Sequence, residues 1–281
     1  MTSKRVFAHF NKRDQQTSVT MKKTYALLLG LFCLIGYAQD KPAADNAAEV
    51  AKKLANPVSS MISVPFQFNL DVSIGSANGY RMTTNFQPVV PVSFNEKLNL
   101  ITRVVLPIMA EEDVMLTGKH FGLGDAVISG FFSPKESKVT WGIGPALLVP
   151  TATESIFGTG KFGVGPTAVA LVQKNGFTYG ALVNQIWSVA GNSDRGDVNQ
   201  MFLQPFFAYN WPTGAGITLN MEMIQNWKYD RFTGYFNPVG TMVGKFGKQT
   251  VSFAIGPRIP LNGQTLGDWG VRSAITFVFP K

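Results

Sequence analysis

Apolar and polar residues alternate along most of the chain from Ser63 onward. In Ser63–Gly75, Val64, Phe66, Phe68, Leu70, Val72 and Ile74 fall on one face, and Gln67, Asn69, Asp71 and Ser73 on the other. A strand sends successive side chains to opposite faces, so this spacing predicts one apolar face and one polar face. It is the first of twelve such stretches in order, near 63–74, 81–93, 98–108, 125–133, 139–150, 164–173, 177–188, 198–209, 216–225, 233–244, 249–259 and 269–279. Short connections at 95–97, 134–138, 174–176, 210–215 and 245–248 alternate with mostly longer ones at 109–124, 151–163, 189–197, 226–232 and 260–268. The expected fold is all-β: an antiparallel transmembrane β-barrel of about 12 strands, with short periplasmic turns and longer outer loops.

One segment carries a helical signal. In Ala43–Pro57, Asn46 is placed to cap a short N-terminal helix, Glu49 follows three residues on, and Pro57 closes it. Residues 39–60 are therefore read as a periplasmic lead-in or a small plug, and residues 61–281 as the barrel. Residues 21–38 have the three parts of a signal peptide: Lys22 and Lys23, the apolar run Ala26–Ile35, and Gly36 and Ala38 before a cut at Gln39. Residues 1–20 are a dispensable or mis-started extension ahead of a second start at Met21.

That leader changes the reading of charge. The chain carries 25 basic and 17 acidic residues, but residues 1–38 hold six of the basic ones and one acid, which leaves 19 against 16. The remaining excess of three makes no case for nucleic-acid binding. Cys33 lies in the leader, so the exported part has neither disulfide nor thiolate.

The aromatic residues fit a membrane wall. All five tryptophans (Trp141, Trp187, Trp211, Trp227 and Trp269) fall at or just beyond predicted strand ends, where amphipathic rings meet the membrane–water interface. The last stretch places Ile275, Phe277 and Phe279 on one face, which resembles the terminal signal of barrel-assembly machinery. Prolines 65, 88, 91, 145, 205, 238 and 257 fall inside predicted strands, although proline lacks a ladder donor. Three glycine-proline steps, at 144, 165 and 256, suggest bulges. A gap in the wall, through which an apolar solute leaves sideways, is the functional alternative.

Signals for chemistry are weak. His120 falls in a predicted loop with no nearby serine–acid pattern, and no cysteine or histidine cluster has metal-ligand spacing. Gly158–Gly163 departs from a phosphate loop because Phe162 follows the lysine. Asp194, Arg195 and Asp197 are loop residues, and Glu111, Glu112 and Asp113 read as a solvated loop face. The expectation is no enzyme and no cofactor.

With the apolar set facing lipid, the polar set lines a lumen. Asp71, Arg103, Glu222, Arg258 and Arg272 are its candidate constriction residues. Asp71 comes late in the first strand and Arg272 early in the last, so closure is expected to pair them with Arg258 close by. Such a group either holds shape or orients an anionic or polar solute. Phe202 and Phe206 share the inward parity with Gln200 and Gln204, which makes them the candidate apolar path.

The segments Asn56–Asn69, Gly124–Lys135, Trp141–Thr153, Gly165–Gly191, Asp197–Asn210 and Val271–Lys281 resemble the bacterial outer-membrane family named for the MetA pathway of phenol degradation, often mislabelled neuromedin U. Gln185 stands where histidine is common in that family, and Ile259-Pro260 where aromatics often follow the arginine. The resemblance implies an outer-membrane barrel of a Gram-negative bacterium, passive, passing small hydrophobic or aromatic solutes. Its partners would be outer-membrane lipid, the barrel-assembly machinery and the solute. A structural or surface-interaction barrel with a filled lumen is the alternative.

Overall fold

The computed structural model describes residues 41–114 and 118–279, with backbone only for 41–46. The expected leader, the N-terminal extension and Pro280-Lys281 lie outside the described residues.

One helix, α1 (Lys41–Leu54), precedes fourteen strands. They are β1 (Ile62–Ile74), β2 (Gly79–Phe86), β3 (Val89–Ser93), β4 (Leu98–Glu112), β5 (Lys119–Leu123), β6 (Ala126–Pro134), β7 (Thr140–Val149), β8 (Lys161–Lys174), β9 (Phe177–Gly191), β10 (Asn199–Asn210), β11 (Ala215–Asn226), β12 (Arg231–Phe246), β13 (Gln249–Pro260) and β14 (Trp269–Phe279). All pair antiparallel, and β14 pairs with β1 from Ile62↔Phe279 to Val72↔Trp269, which closes the sheet.

The wall contains twelve strands because two of them are bent. Pro88 has no N–H to give the ladder, so the stretch expected as one strand at 81–93 divides into β2 and β3. Bonds from Gln87 N–H to Pro65 O and from Val104 N–H to Pro88 O hold the bend in the sheet. A second bend at Gly124-Asp125 joins β5 to β6. The loop expected at 109–124 is instead largely sheet: β4 runs on to Glu112 and pairs with β5 from Ile108↔Leu123 to Glu112↔Lys119.

Five other prolines coincide with gaps in the ladder. Between β12 and β13 the pairing stops at Phe236↔Ile259 and resumes at Gly240↔Ile255, across Pro238 and Pro257. Similar gaps fall at Pro145 between β6 and β7, Pro166 between β8 and β9, and Pro205 between β10 and β11. A Cβ at Gly256 would strike the Pro238 carbonyl, and one at Gly144 the Gly130 carbonyl. Glycine before proline thus lets neighbouring backbones approach where the donor is missing.

Burial is inverted relative to a water-soluble domain. Asn237 is 0% exposed and Asp71 4%, whereas Met221 is 37% and Ile217 46% exposed. All five tryptophans are exposed near strand ends. Buried apolar residues do occur inside the wall. Ile101, Phe131, Val169, Leu171 and Leu182 form one cluster with Val58, so β4 and β6 to β10 give the lumen an apolar side.

Helix α1 begins at Lys41, so Asn46 lies within it and is not its cap. Asn56 stops the chain beyond the helix by accepting the Val58 N–H at 3.0 Å. Ala47 and Ala51 are buried against Val243 of β12, and Gln173 donates to the Lys52 carbonyl. Both contacts lie at the short-turn end of the barrel.

Candidate functional site in the lumen

Three arginines and three carboxylates meet in the lumen toward the long-loop end. Arg258 donates Nε–H to Asp71 Oδ1 at 2.9 Å and Nη1–H to Glu222 Oε2 at 3.1 Å. Arg272 donates Nη2–H to the same Glu222 oxygen at 2.5 Å and Nε–H to Asn69 Oδ1 at 2.8 Å. Arg81 grips Glu111 through Nη2 at 2.5 Å and Nε at 2.7 Å.

The expected Asp71–Arg272 pair is replaced by Asp71–Arg258, and the register explains the exchange. Arg258, Gly270 and Asp71 lie side by side on β13, β14 and β1. Gly270 has no side chain, so its neighbours meet across it. A Cβ there would sit 3.0 Å from Asp71 Oδ1 and 3.3 Å from Arg258 Cβ. Arg272, one inward position along, faces Asn69 instead.

This row continues around the wall. Asp71 pairs with Arg81, Arg81 with Glu111, and Glu111 with His120 in direct cross-strand register. Charges thus alternate along Arg258, Asp71, Arg81 and Glu111, and opposite charges set directly across strands attract. Glu111, which the sequence suggests for a solvated loop face, is instead 5% exposed and takes part in this row. His120 Nδ1 lies 2.7 Å from Glu154 Oε2, while its Nε2 is buried without a hydrogen-bond partner among the described residues.

Asparagines and a tyrosine complete the network. Asn237 donates to Asn220 Oδ1 at 3.0 Å and accepts from Arg258 at 3.2 Å, and Asn220 also accepts from Arg272. The Arg258 guanidinium lies 3.3 Å from the Tyr235 ring centroid, a cation–π contact. Sequence reasoning missed Arg81, Glu111, Glu154, Tyr235 and Asn237. Inward parity could have marked Tyr235 and Asn237, which share it with Arg258 through Asn220.

Arg103 stands apart. It donates Nη2–H to Gln87 Oε1 at 2.7 Å and lines a cavity of about 280 Å³ between the charged row and the segment that follows α1. Leu54, Asn56 and Pro57 line this cavity at the short-turn end, and Asn220 is shared with the network. Phe206 lines it too, and Phe202 and Phe206 both pack on the Ile101–Leu182 cluster.

The loops at the long-loop end are tied down. Asp197 meets Lys228 at 2.9 Å and Lys161 at 3.1 Å. These hydrogen bonds, from Lys228 first and then Lys161, hold its carboxyl below the usual aspartate range. Arg195 donates to the carbonyls of Ser155 and Gly158. Among the described residues there is no cluster of three or more potential metal ligands.

No model of a known protein family and no curated protein sequence matches the chain. Among solved structures, the fold is similar to the COG4313 outer membrane channel from Pseudomonas putida F1, with a TM-score of 0.62 at 12% identity over 78% of this chain and 96% of that one. At that identity the likeness speaks for the fold.

Proposed function

We propose that this barrel sits in the bacterial outer membrane as a passive, non-enzymatic channel for small hydrophobic or aromatic solutes. The observation that carries the proposal is the two-sided lumen. Phe202, Phe206, Ile101, Phe131, Leu171 and Leu182 offer a solute an apolar wall, and a cavity of about 280 Å³ already lies beside it. An open aqueous pore has no use for inward phenylalanines, and such pores use 16–18 strands. The similarity to an outer membrane channel and the segments resembling the MetA-pathway family support the same reading.

On this reading α1 is a small plug at the periplasmic mouth and the charged row is the outer constriction. Solute passes when one of them shifts, and an apolar solute leaves sideways where the β12–β13 ladder is interrupted. The test is uptake of radiolabelled aromatic and aliphatic solutes by a deletion strain with and without the gene restored. The proposal expects a defect that complementation repairs; equal uptake across the panel contradicts it.

One observation favours a second reading, a structural barrel with a filled lumen. The Asp71–Arg258–Glu222–Arg272 network is closed and well hydrogen-bonded. Conductance in planar bilayers separates the two: the channel gives discrete openings and the filled barrel none.

A further inference from the structure

Arg103 is the lumen arginine with no carboxylate in contact among the described residues, and Glu222 attracts it only from beyond contact distance. Arg81, Arg258 and Arg272 each contact a carboxylate. Among the described residues Arg103 has no carboxylate within 4.0 Å, and its one side-chain partner is the neutral Gln87. A guanidinium carries five N–H donors in a planar fork matched to a carboxylate. A cation drawn away from bulk water without an anion is costly. Here that cation faces a cavity rather than a packed wall.

The cavity walls define the rest of the ligand. Gln87 holds the guanidinium, Asn220 lines the same cavity, and Val89, Phe206 and Val239 supply apolar surface. Its volume of about 280 Å³ lies just below the usual range for small-molecule pockets, roughly 300–1,000 Å³. That suits one ring or a short chain with a single acidic group.

We propose that Arg103 and this cavity form a binding site for a small apolar monocarboxylate, with the carboxylate on the guanidinium and the apolar body against Phe206. The inference rests on the channel reading only for how the solute reaches the cavity. The site deepens that reading, because it makes the favoured cargo an aromatic or short aliphatic acid rather than a neutral hydrocarbon.

The test uses the full chain in detergent micelles, with radiolabelled benzoate in equilibrium dialysis and neutral benzyl alcohol as the matched probe. Wild type is expected to bind benzoate saturably, at least about tenfold tighter than benzyl alcohol, because a hydrogen-bonded charge is lost with the neutral probe. Arg103→Gln should weaken benzoate by a similar factor and leave benzyl alcohol unchanged, and Arg103→Lys should keep part of the affinity. Heat-shifted gel mobility verifies that each variant is folded; if R103Q fails that check, the benzoate-to-benzyl alcohol ratio on wild type decides. Equal binding of the two probes, or full benzoate affinity in folded R103Q, overturns the site. Bilayer conductance is read alongside: openings without benzoate selectivity refute this site and spare the channel, whereas selective binding without openings supports the site and refutes the channel.

Discussion

Glu222→Gln is the most informative single change in the lumen. One carboxylate oxygen of Glu222 serves two arginines, at 2.5 Å from Arg272 and 3.1 Å from Arg258. At an effective dielectric near 20, contacts at such distances carry about 5–7 kcal/mol of gross attraction each, most of it offset by desolvation. The amide keeps the shape and removes the charge. Arg258 retains Asp71, but Arg272 is left with Asn69 and Asn220 only. Three arginines then face two carboxylates. Breaking a buried pair on one side costs about 3–5 kcal/mol, and the lower end applies because the Glu222 side chain keeps 18% of its exposure. The assay is reversible urea unfolding in lipid vesicles, followed by tryptophan fluorescence, for E222Q, Arg272→Gln and the double variant. The double variant should lose less than the sum of the singles, since it removes a charge of each sign. A loss below about 1 kcal/mol for E222Q, the scale of an exposed surface pair, with additive singles, would refute a tightly coupled network.

Gly270→Ala pushes a methyl onto the Leu70 carbonyl and against Asp71 and Arg258; overpacking of this kind costs about 1–3 kcal/mol, read as a lower urea midpoint, and an unchanged midpoint contradicts the register argument. Deleting residues 41–56 should raise bilayer conductance while the heat-shifted gel band persists, because Ala47 and Ala51 no longer fill the mouth beside Val243; unchanged conductance contradicts the plug. Asp197 has a folded pKa below its ordinary 3.8, so its clamp on Lys228 and Lys161 is fully present above that value and is lost as pH falls below it; hydrogen exchange at residues 192–198 should stay slow at pH 5, and Asp197→Asn should speed it there. Phe206→Ala should slow aromatic solute uptake in the complemented strain without altering barrel yield.

Much of the wall is legible in the chain because an apolar outer face and a polar lumen impose opposite demands on alternate residues. Ser63–Gly75 shows this cleanly, and β1 begins and ends within a residue of that stretch. Legibility fades where one demand lapses. Toward the long-loop end, Glu111, Glu112 and Lys119 look like loop residues although β4 and β5 carry them in register. Along β6, β8 and β9 the lumen side is itself apolar, at Phe131, Leu171 and Leu182, so parity alone cannot say which face points inward. The partner of Asp71 depended on Gly270, whose missing side chain lets Arg258 reach across a strand. Glu154 lies 34 residues from His120, and only the folded register brings them together.

A transmembrane barrel requires lipid tails, rather than packed protein, to cover the outward residues. Nitroxide labels placed one at a time along Ile217–Met223 of β11, in a Cys33→Ser background reconstituted in vesicles, measure that directly through oxygen and nickel-chelate accessibility. High oxygen and low nickel access at 217, 219, 221 and 223, with oxygen access falling at 218, 220 and 222, is the expected two-residue rhythm. Nickel reaching Ile217 and Met221 freely, or both reagents excluded there by protein, would contradict it.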